Sequence, residues 1–374
     1  MNSNRQIELL SPAKNAEYGI AAINCGADAV YIGGPKFGAR ASVGNSIDDI
    51  SKLIKYAHKF RAKIYAAINT IIYDNEIEEV RKIICRLYEE GIDAVIFQDM
   101  ALLEIDLAPV ELHASTQTHN YGIERIKFLG NQNIQRIILA RELSLEKIKK
   151  IREETNCELE YFIHGALCVC FSGQCYMSYA IGGRSANRGE CAQPCRLSYN
   201  LLDSSGNVIV KDKHLLSLKD LNLSAHLNEL ISAGISSFKI EGRLKDLAYV
   251  KNITAYYRKK LDEILENMPA YQKASIGKSE INFEPDPDIT FNRGFTEYFF
   301  SGRNKSLSSM DSPKSRGKFM GKVVKSCSEY FEIETGETIS NGDGLYIIKD
   351  DTEIAGMYVN KFEKNKVFKD KQFI

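Results

Sequence analysis

The sequence has no excess of either charge and no long apolar run. Its 374 residues include 49 lysines and arginines against 49 aspartates and glutamates, so the formal net charge at pH 7 is zero. Any surface for a polyanion such as nucleic acid would therefore have to be local. No stretch approaches the roughly 20 apolar residues that span a bilayer, and the apolar run after Gln6 is too short for a signal peptide. We expect a cytoplasmic protein with no membrane segment.

Several enzyme signatures are absent as well. The sequence has no His-Glu-x-x-His zinc-protease motif, no Gly-x-Ser-x-Gly nucleophile turn and no Walker phosphate-binding loop. A Gly-rich dinucleotide-binding turn is also missing after the first predicted strand. If the chain is a protease, its sequence does not show the usual machinery.

Cysteine, in contrast, is plentiful and unevenly distributed. Five of the nine cysteines lie between Glu160 and Arg196, in a stretch rich in Gly, Ser, Asn and Arg. An odd number of cysteines in a long chain that we expect in the cytoplasm argues against a disulfide framework and for metal binding or catalysis. The remaining four are interpreted as small buried hydrophobic residues: Cys25, Cys85, Cys157 and Cys327.

Four of the clustered cysteines have a spacing that suits a metal centre. Cys168 and Cys175 are seven positions apart, and Cys191 and Cys195 are four apart. Four thiolates complete either an iron–sulfur cluster or a tetrahedral zinc site, and this spacing is not the paired Cys-x2-Cys of zinc ribbons. An iron–sulfur cluster is favoured, with zinc and unligated thiols as alternatives. Cys170 could exchange roles with Cys168 if the backbone there is extended.

Short apolar runs alternate with longer amphipathic ones, which is the pattern of parallel βα units. Strands are predicted at residues 7–10, 29–32, 63–68, 94–98, 111–115, 136–140, 158–163 and 237–241. Helices are predicted to begin near Ala13, Asp48, Asn75, Ala101, Asn120 and Ser144, with a long one from Leu244 to about Asn267. Eight strands with seven crossovers predict an α/β fold of the (β/α)8 TIM-like barrel type. A doubly wound open sheet is the alternative.

A sequence pattern that recurs three times supports this prediction. A glycine followed within four residues by an apolar strand occurs at Gly26, Gly91 and Gly234. We expect each of these glycines to end a helix in the left-handed conformation, which glycine adopts without steric penalty.

The predicted barrel extends over residues 1–268 and contains a cysteine-bearing insertion at about 165–232, after strand seven. Residues 269–318, rich in Asp, Pro, Asn, Ser and Gly, are predicted to form an irregular connector. Alternating apolar runs with intervening turn residues predict a small β domain at 319–374. Because the loops after the strands form the active face of such barrels, we expect the cysteines to lie there.

Polar residues follow most of the predicted strands and should line the barrel mouth. They are Ser11, Asn69, Gln98, Asp99, His113, Gln117, His119, Arg141, Glu142, His164, Glu241 and Arg243. We predict that His164, Glu241 and Arg243 shape the active-site pocket. The alternatives are a purely structural role for the histidine and a structural ion pair between the other two.

Positive charge is concentrated between residues 303 and 325. The predicted RNA contacts there are Arg303, Lys305, Lys314, Arg316 and Lys318. A local basic loop can track a phosphate backbone, and a solvated loop with no ligand is the alternative.

The cysteine stretch also resembles a known family. Its residues Glu160-x-Phe162-x-x-Gly165-Ala166-Leu167-Cys168, followed by Gly173-x-Cys175-x-Met177-Ser178, are similar to the signature of the collagenase-like peptidase family U32. The segments Phe238-Lys239-Ile240-Glu241-Gly242-Arg243 and Asn292-Arg293-Gly294-Phe295-Thr296 are also typical of it. The resemblance covers roughly residues 7 to 350.

This resemblance implies a function in RNA modification. The better-understood members that the chain resembles are RNA and quinone hydroxylation factors, which carry an iron–sulfur cluster. By resemblance, Cys168, Cys175, Cys191 and Cys195 would hold a 4Fe-4S cluster, and prephenate would be a co-substrate. The substrate would be a ribosomal RNA cytidine or a tRNA wobble uridine, and residues 184–196 resemble the ribosomal type more closely.

Two other functions stay open at the level of the sequence. They are a collagenase-like peptidase, and a cluster-bearing accessory subunit that works with a protein partner. Four protein thiolates leave a cluster no obvious open position, so we expect electron transfer or a structural role from it.

Overall fold

The computed structural model describes residues 5–40, 44–303, 307–349 and 352–368. At its centre, seven parallel strands follow one another around a barrel. They are β1 (Arg5–Ala13), β2 (Ala29–Gly33), β3 (Lys63–Ile68), β4 (Ala94–Phe97), β5 (Glu111–Ala114), β6 (Arg136–Ile138) and β7 (Glu158–Ala166). Their side chains are almost continuously buried, as expected for parallel strands covered by helices outside and packed side chains within.

The barrel closes across an insertion. After β7 the chain forms β8 (Tyr199–Leu202), β9 (Val208–Lys213) and β10 (Asp220–Asn222). The next strand, β11 (Ser237–Ile240), pairs in parallel with both β1 and β7, and Ser237 lies opposite Glu8 on one side and Glu160 on the other. The predicted (β/α)8 barrel with an insertion after strand seven is therefore confirmed, and the open sheet is excluded.

Helices connect the strands and begin at polar caps. They are α1 (Ala16–Asn24), α2 (Ile47–Ala57), α3 (Ile77–Glu89), α4 (Ile123–Gly130), α5 (Leu145–Glu154), α6 (Met177–Gly182), α7 (Leu227–Ser232) and α8 (Leu247–Glu266). Ser46 and Ser144 each accept a hydrogen bond from the backbone N–H three residues later, which fixes where α2 and α5 begin. None of the helices in the described ranges is long and apolar enough to cross a membrane.

The three glycines of the recurring sequence pattern adopt the predicted left-handed conformation. Gly26, Gly91 and Gly234 have φ angles of +99°, +87° and +89°. Each one turns the chain from a helix end towards the following strand, so this prediction is confirmed.

The helix predicted to begin near Ala101 is wrong. Met100–Leu103 forms a short 3-10 turn, and no α-helix lies between β4 and β5. Pro109 has no N–H to donate and disfavours the helical conformation in the residue before it. The few residues before it are too short a segment for a stable helix.

A buried ionic network crosses the barrel interior. Arg136 is paired with Glu8 and, at 3.2 Å, with Glu160, whose other oxygen lies 2.7 Å from the Lys239 ammonium. All four side chains are 6% exposed or less. Two positive and two negative charges thus compensate one another, as burial requires. The network joins β1, β6, β7 and β11, which include the strands that close the barrel.

Beyond α8 the chain returns to the barrel through two very short strands. β12 (Tyr271–Lys273) pairs in parallel with the start of β1, and β13 (Phe295–Thr296) pairs with β10. Sequence analysis predicts neither strand, because two or three residues are too few to show alternation.

The C-terminal region forms further sheets with a core of their own. β14 (Lys322–Ser326), β15 (Tyr330–Glu334), β18 (Lys361–Glu363) and β19 (Lys366–Phe368) make a four-stranded sheet, while β16 (Gly344–Lys349) pairs with β17 (Thr352–Tyr358). Phe331, Ile333 and Val367 belong to a hydrophobic cluster separate from that of the barrel. The domain boundaries given above stay a prediction.

Candidate functional site

A cavity of about 170 Å³ lies in the barrel at the end where the loops following the strands converge. Six barrel strands supply one wall residue each: Tyr31, Ala67, Ile96, Ile138, Phe162 and Lys239. Loop residues that follow the strands complete the lining, among them Arg40, Asn69, Gln117, Arg141, Glu241 and Arg243. This is where (β/α)8 barrels carry their active sites.

The cysteine insertion forms part of the same lining. Cys168, Cys175 and Cys191 line the cavity, and Cys168 follows the end of β7 by two residues. Cys195 is near Cys191 and Cys175. Burial raises the pKa of Cys195, and charge on either of those two neighbours would also raise it. The structure thus brings the four predicted ligands into one region.

Burial raises the pKa of three of the clustered thiols, those of Cys168, Cys170 and Cys195. Burial, together with the neighbouring Cys175 and Cys195, raises the pKa of Cys168 to about 11. Burial also raises the pKa of Cys170, and a hydrogen bond with Cys175 adds to the effect. A soft metal ion would replace these protons, because metal binding deprotonates a thiol.

The donor chemistry therefore fits a soft metal centre. In the described ranges, however, no group of three or more His, Cys, Asp and Glu side chains is arranged to hold one metal ion. The thiols would have to move closer together to share a centre. Cys170 does not line the cavity, and its Sγ donates to the Gln174 carbonyl oxygen at 3.2 Å.

Several contacts fasten the insertion to the barrel. Ser172 donates from its N–H and its hydroxyl to the Glu142 carboxylate. Arg196 donates to the carbonyl oxygens of Leu167 at 2.8 Å and Leu218 at 2.7 Å, and so joins the segment after β7 to the segment before β10. Arg188 forms an ion pair with Glu76 at 2.6 Å. The cysteines consequently sit on a loop that is held in place even without a ligand.

The charged side chains at the mouth are only partly paired. Arg141 lies 3.0 Å from Glu241 and stacks over the Phe162 ring at 3.7 Å. Burial raises the pKa of Glu241, but the positive charges of Arg40, Arg141, Arg243 and Lys239 outweigh burial and leave that pKa below its usual value. Glu241 is therefore ionised at neutral pH. Arg243 is 5% exposed, and its buried Nη1 has no hydrogen-bond partner among the described residues.

His164 is placed differently from Glu241 and Arg243. It is 1% exposed, does not line the cavity, and its Nδ1 lies 3.3 Å from the Tyr257 hydroxyl. Burial, together with the charge of Lys245, lowers its pKa to about 3. At neutral pH, His164 is thus an uncharged side chain of β7 that packs against α8.

Of the predicted RNA contacts, Arg303, Lys314, Arg316 and Lys318 do not line the cavity. Lys318 is paired with Asp286 at 3.2 Å and with Glu337 at 2.8 Å, and Arg316 lies 3.5 Å from Asp311. Arg303 and Lys314 are exposed, and Lys305 lies outside the described residues. Nearby acids therefore neutralise part of the basic stretch.

Sequence analysis does not predict two of the charged residues that line the cavity, Arg40 and Lys239. Arg40 follows Gly38 in a Gly-containing loop after β2, and it could have been sought there as a residue following a strand. Lys239 is a lysine within the buried strand Phe238-Lys239-Ile240. Lysine is rarely buried without a partner, so its presence in such a strand was the available signal.

Comparisons with known proteins identify relatives that match most of the chain. The model of Peptidase family U32 matches residues 14–310. The 23S rRNA 5-hydroxycytidine C2501 synthase of Escherichia coli is 49% identical over 362 residues, which are 97% of this chain and 55% of that protein. The tRNA hydroxylation protein P1 of Bacillus subtilis is 36% identical over 68% of this chain and 63% of its own length. The collagenase of Porphyromonas gingivalis is 31% identical over 97% of this chain and 91% of its own length.

Proposed function

Since the chain belongs to peptidase family U32, we propose that it is an enzyme that hydroxylates a base in RNA. The observation that carries the proposal is that three cysteines line the same cavity as Arg141, Glu241 and Arg243. Thiols are soft ligands that suit a redox group, and charged groups that can hold a substrate lie beside them, which supports the proposal. The chain spans only 55% of the length of the ribosomal RNA relative, so that protein's activity comes to this chain as a proposal.

The RNA substrate that we favour is a ribosomal RNA cytidine. The 23S rRNA 5-hydroxycytidine synthase is 49% identical to this chain, whereas the tRNA hydroxylation protein of Bacillus subtilis is 36% identical. A tRNA uridine is the alternative within the same reaction class. Such an enzyme would act in the cytoplasm, and prephenate is retained as the proposed co-substrate.

The redox group that we propose is a 4Fe-4S cluster on Cys168, Cys175, Cys191 and Cys195. When bound, such a cluster would supply electron transfer. The chain's own residues would position the reactants: the Arg141–Glu241 pair orients polar groups at the mouth, and Phe162 and Tyr31 form apolar walls.

Exposed aromatic side chains beside the cysteines support binding of a nucleic-acid base. Phe171 lines the cavity and is 54% exposed, and Tyr176 and Tyr179 are 61% and 60% exposed. Bases that leave a helical stack are commonly received by such rings. The predicted basic contacts at Arg303, Lys305, Lys314, Arg316 and Lys318 would act on the RNA backbone, and salt-sensitive binding of structured RNA tests them.

The first test is anaerobic purification with iron, sulfide and zinc quantified. We expect roughly four irons and four sulfides per chain, and loss of both in Cys168→Ser, Cys175→Ser, Cys191→Ser and Cys195→Ser. Cys85→Ser is the matched control, because Cys85 lies on α3 and does not line the cavity. One zinc without sulfide would overturn the cluster assignment.

The second test is mass spectrometry of RNA from cells that lack the protein. The hydroxylated nucleoside should disappear from the deletion strain, return with the wild-type chain and not with Cys168→Ser. If it stays present in the deletion strain, the chain does not make it.

A peptidase is the second candidate, because the Porphyromonas gingivalis collagenase matches nearly the whole chain at 31% identity. Cleavage of denatured collagen by protein purified to homogeneity, retained in Cys168→Ser, would favour it. Copurification of a stoichiometric second protein needed for activity would instead identify the chain as an accessory subunit.

A further inference from the structure

One cysteine of the insertion has no part in the proposed metal centre. Cys170 lies between Cys168 and Cys175 in the sequence, and both of those line the cavity, whereas Cys170 does not. It is partly exposed, and its Sγ donates to the Gln174 carbonyl oxygen at 3.2 Å. The side chain therefore contacts the backbone next to Cys175.

A tight turn brings Cys170 and Cys175 together. The Gln174 N–H donates to the Phe171 carbonyl oxygen at 3.0 Å and so closes a four-residue turn. Gly173 is the third residue of this turn and has a φ of +74°, which is a positive value typical of that position in several turn types. Cys170 and Cys175 flank the turn on either side, so the reversal of the chain brings them close to each other.

Contacts with the barrel hold this turn in place. Ser172 donates from its N–H and its hydroxyl to the Glu142 carboxylate, and its carbonyl oxygen lies 3.0 Å from Nδ1 of His119. A Cβ on Gly173 would overlap the Gln117 carbonyl oxygen, so glycine lets the turn pack directly on the loop after β5. The fold therefore presents the two flanking cysteines as a preformed pair.

The two thiols are within reach of each other. Burial raises the pKa of Cys170, and charge on Cys175 and a hydrogen bond between the two side chains add to this rise. A disulfide needs Cα atoms no more than about 7 Å apart, and short side chains that hydrogen-bond across a tight turn suit this requirement. Both cysteines are partly exposed, so a dissolved oxidant can reach them.

We propose that Cys170 and Cys175 are a redox pair, which a peroxide converts to a disulfide when no metal is bound to the insertion. One thiol attacks hydrogen peroxide, the O–O bond breaks, and a sulfenic acid and one water form. The other thiol attacks the sulfenic sulfur, the S–S bond forms, and a second water leaves. Together the two thiols give up two protons and two electrons, which reduce the peroxide to water. A thiol reductant reverses the reaction by exchange.

The consequence for metal binding rests on the proposed function. If Cys175 is a ligand of the metal centre, the disulfide removes one of the four thiolates, and the oxidised chain cannot hold the centre. The disulfide also protects Cys175 from oxidation to the sulfinic acid, which thiol reductants do not reverse. Because a partly exposed disulfide in reducing surroundings is usually transient, Cys170 keeps the ligand recoverable.

The test is treatment of the whole chain with limiting hydrogen peroxide, after metal has been removed with a chelator under anaerobic conditions. Free thiols are then alkylated, and chymotrypsin cleaves after Phe171, which separates the two cysteines. Mass spectrometry should find Cys170 and Cys175 on two peptides joined by a disulfide. The absence of this disulfide, or random pairing among the clustered cysteines, would overturn the inference.

Three variants make the result specific. Cys170→Ser should form no disulfide at Cys175 and should accumulate its sulfinic acid in excess peroxide, which the wild type should not do. Cys85→Ser should form the disulfide like the wild type, because Cys85 lies on α3. Gly173→Ala should lower the yield of the disulfide, because a Cβ there disturbs the turn. Equal oxidation of Cys175 to the sulfinic acid in the wild type and in Cys170→Ser would contradict the protective pairing.

Cadmium binding separates this inference from the proposed function. Cadmium is a soft ion that thiolates bind without any reductant. The reduced chain should bind it, the oxidised chain should bind it at least about tenfold more weakly, and dithiothreitol, removed before the titration, should restore binding. A disulfide that leaves cadmium binding unchanged would refute Cys175 as a ligand and leave the redox pair. Cadmium binding by a chain that forms no disulfide in peroxide would refute the redox pair alone.

Discussion

Replacing His164 with glutamine should reduce the amount of stability that the protein loses between pH 7 and pH 5. His164 is 1% exposed, and burial holds its pKa at about 3 in the folded protein. In the unfolded chain a histidine has a pKa of about 6.5. The unfolded state therefore binds a proton between these two values that the folded state does not, and protons favour unfolding in that range. The stabilisation is complete above pH 6.5 and is lost progressively towards pH 3.

The magnitude follows from the two pKa values. Between pH 7 and pH 5 the unfolded histidine goes from mostly neutral to almost fully charged, while the folded one stays neutral. One pKa unit corresponds to about 1.36 kcal/mol, so His164 should contribute about 2 kcal/mol to the stability lost over this interval. Glutamine does not titrate there, so the variant should lose about 2 kcal/mol less than the wild type.

Urea unfolding at pH 7 and pH 5 measures this difference. Because each protein is compared with itself at the two pH values, a change in the variant's stability at pH 7 does not affect the comparison. His113 is the matched comparison, because it is also 1% exposed and burial lowers its pKa well below the usual value. His113→Gln should reduce the pH dependence in the same direction. An unchanged pH dependence in His164→Gln would refute the buried, neutral state. RNA hydroxylation by the same variant tests the sequence-based prediction that His164 shapes the pocket.

Two further changes test the surrounding structure. Arg258→Met should lower the free energy of unfolding, measured by urea titration, by about 3–5 kcal/mol, because the buried Asp28 carboxylate loses a guanidinium partner 2.9 Å away. Lys52→Met removes one partner of an exposed ion pair and should lower the free energy of unfolding by less than about 1 kcal/mol. Gly173→Ala should displace the cysteine loop, since Gly173 has a φ of +74° and a Cβ there would overlap a backbone oxygen. Faster labelling of the cysteines by a thiol reagent would show it, whereas Gly182→Ala, with open space around it, should label at the wild-type rate.

The barrel could be predicted because its signals are local. Each strand is a short apolar run, and glycines such as Gly26 mark the turns that precede them. The failed helix near Ala101 shows the limit of such patterns, since the apolar spacing there is helical but the segment before Pro109 is too short. The cysteines of the mouth could also be found in advance, because four thiols at close sequence spacing are rare in a chain of this kind.

The charge arrangement could not be predicted, because it depends on pairs that are distant in sequence. Glu241 could be found as a polar residue at a strand end, but its partner Arg141 lies in the loop after β6, 100 residues earlier. Glu160 meets Lys239 across 79 residues. That the buried Arg243 Nη1 has no hydrogen-bond partner in the described part of the chain emerges only when all these pairs are known. Sequence reasoning alone therefore identified residues of the site but not how they pair.

The structure also explains why one short motif includes residues of such different kinds. β7 carries Glu160 in the ionic network and Phe162 in the cavity wall, two residues apart and so on the same side of the strand. Gly165 follows with a φ of +104°, and a Cβ there would lie 2.6 Å from the Glu241 carbonyl oxygen. Only glycine can therefore bring the chain past β11 at this point. The next turn delivers Cys168 to the cavity, so the position of the thiol depends on the packing of the strand that precedes it.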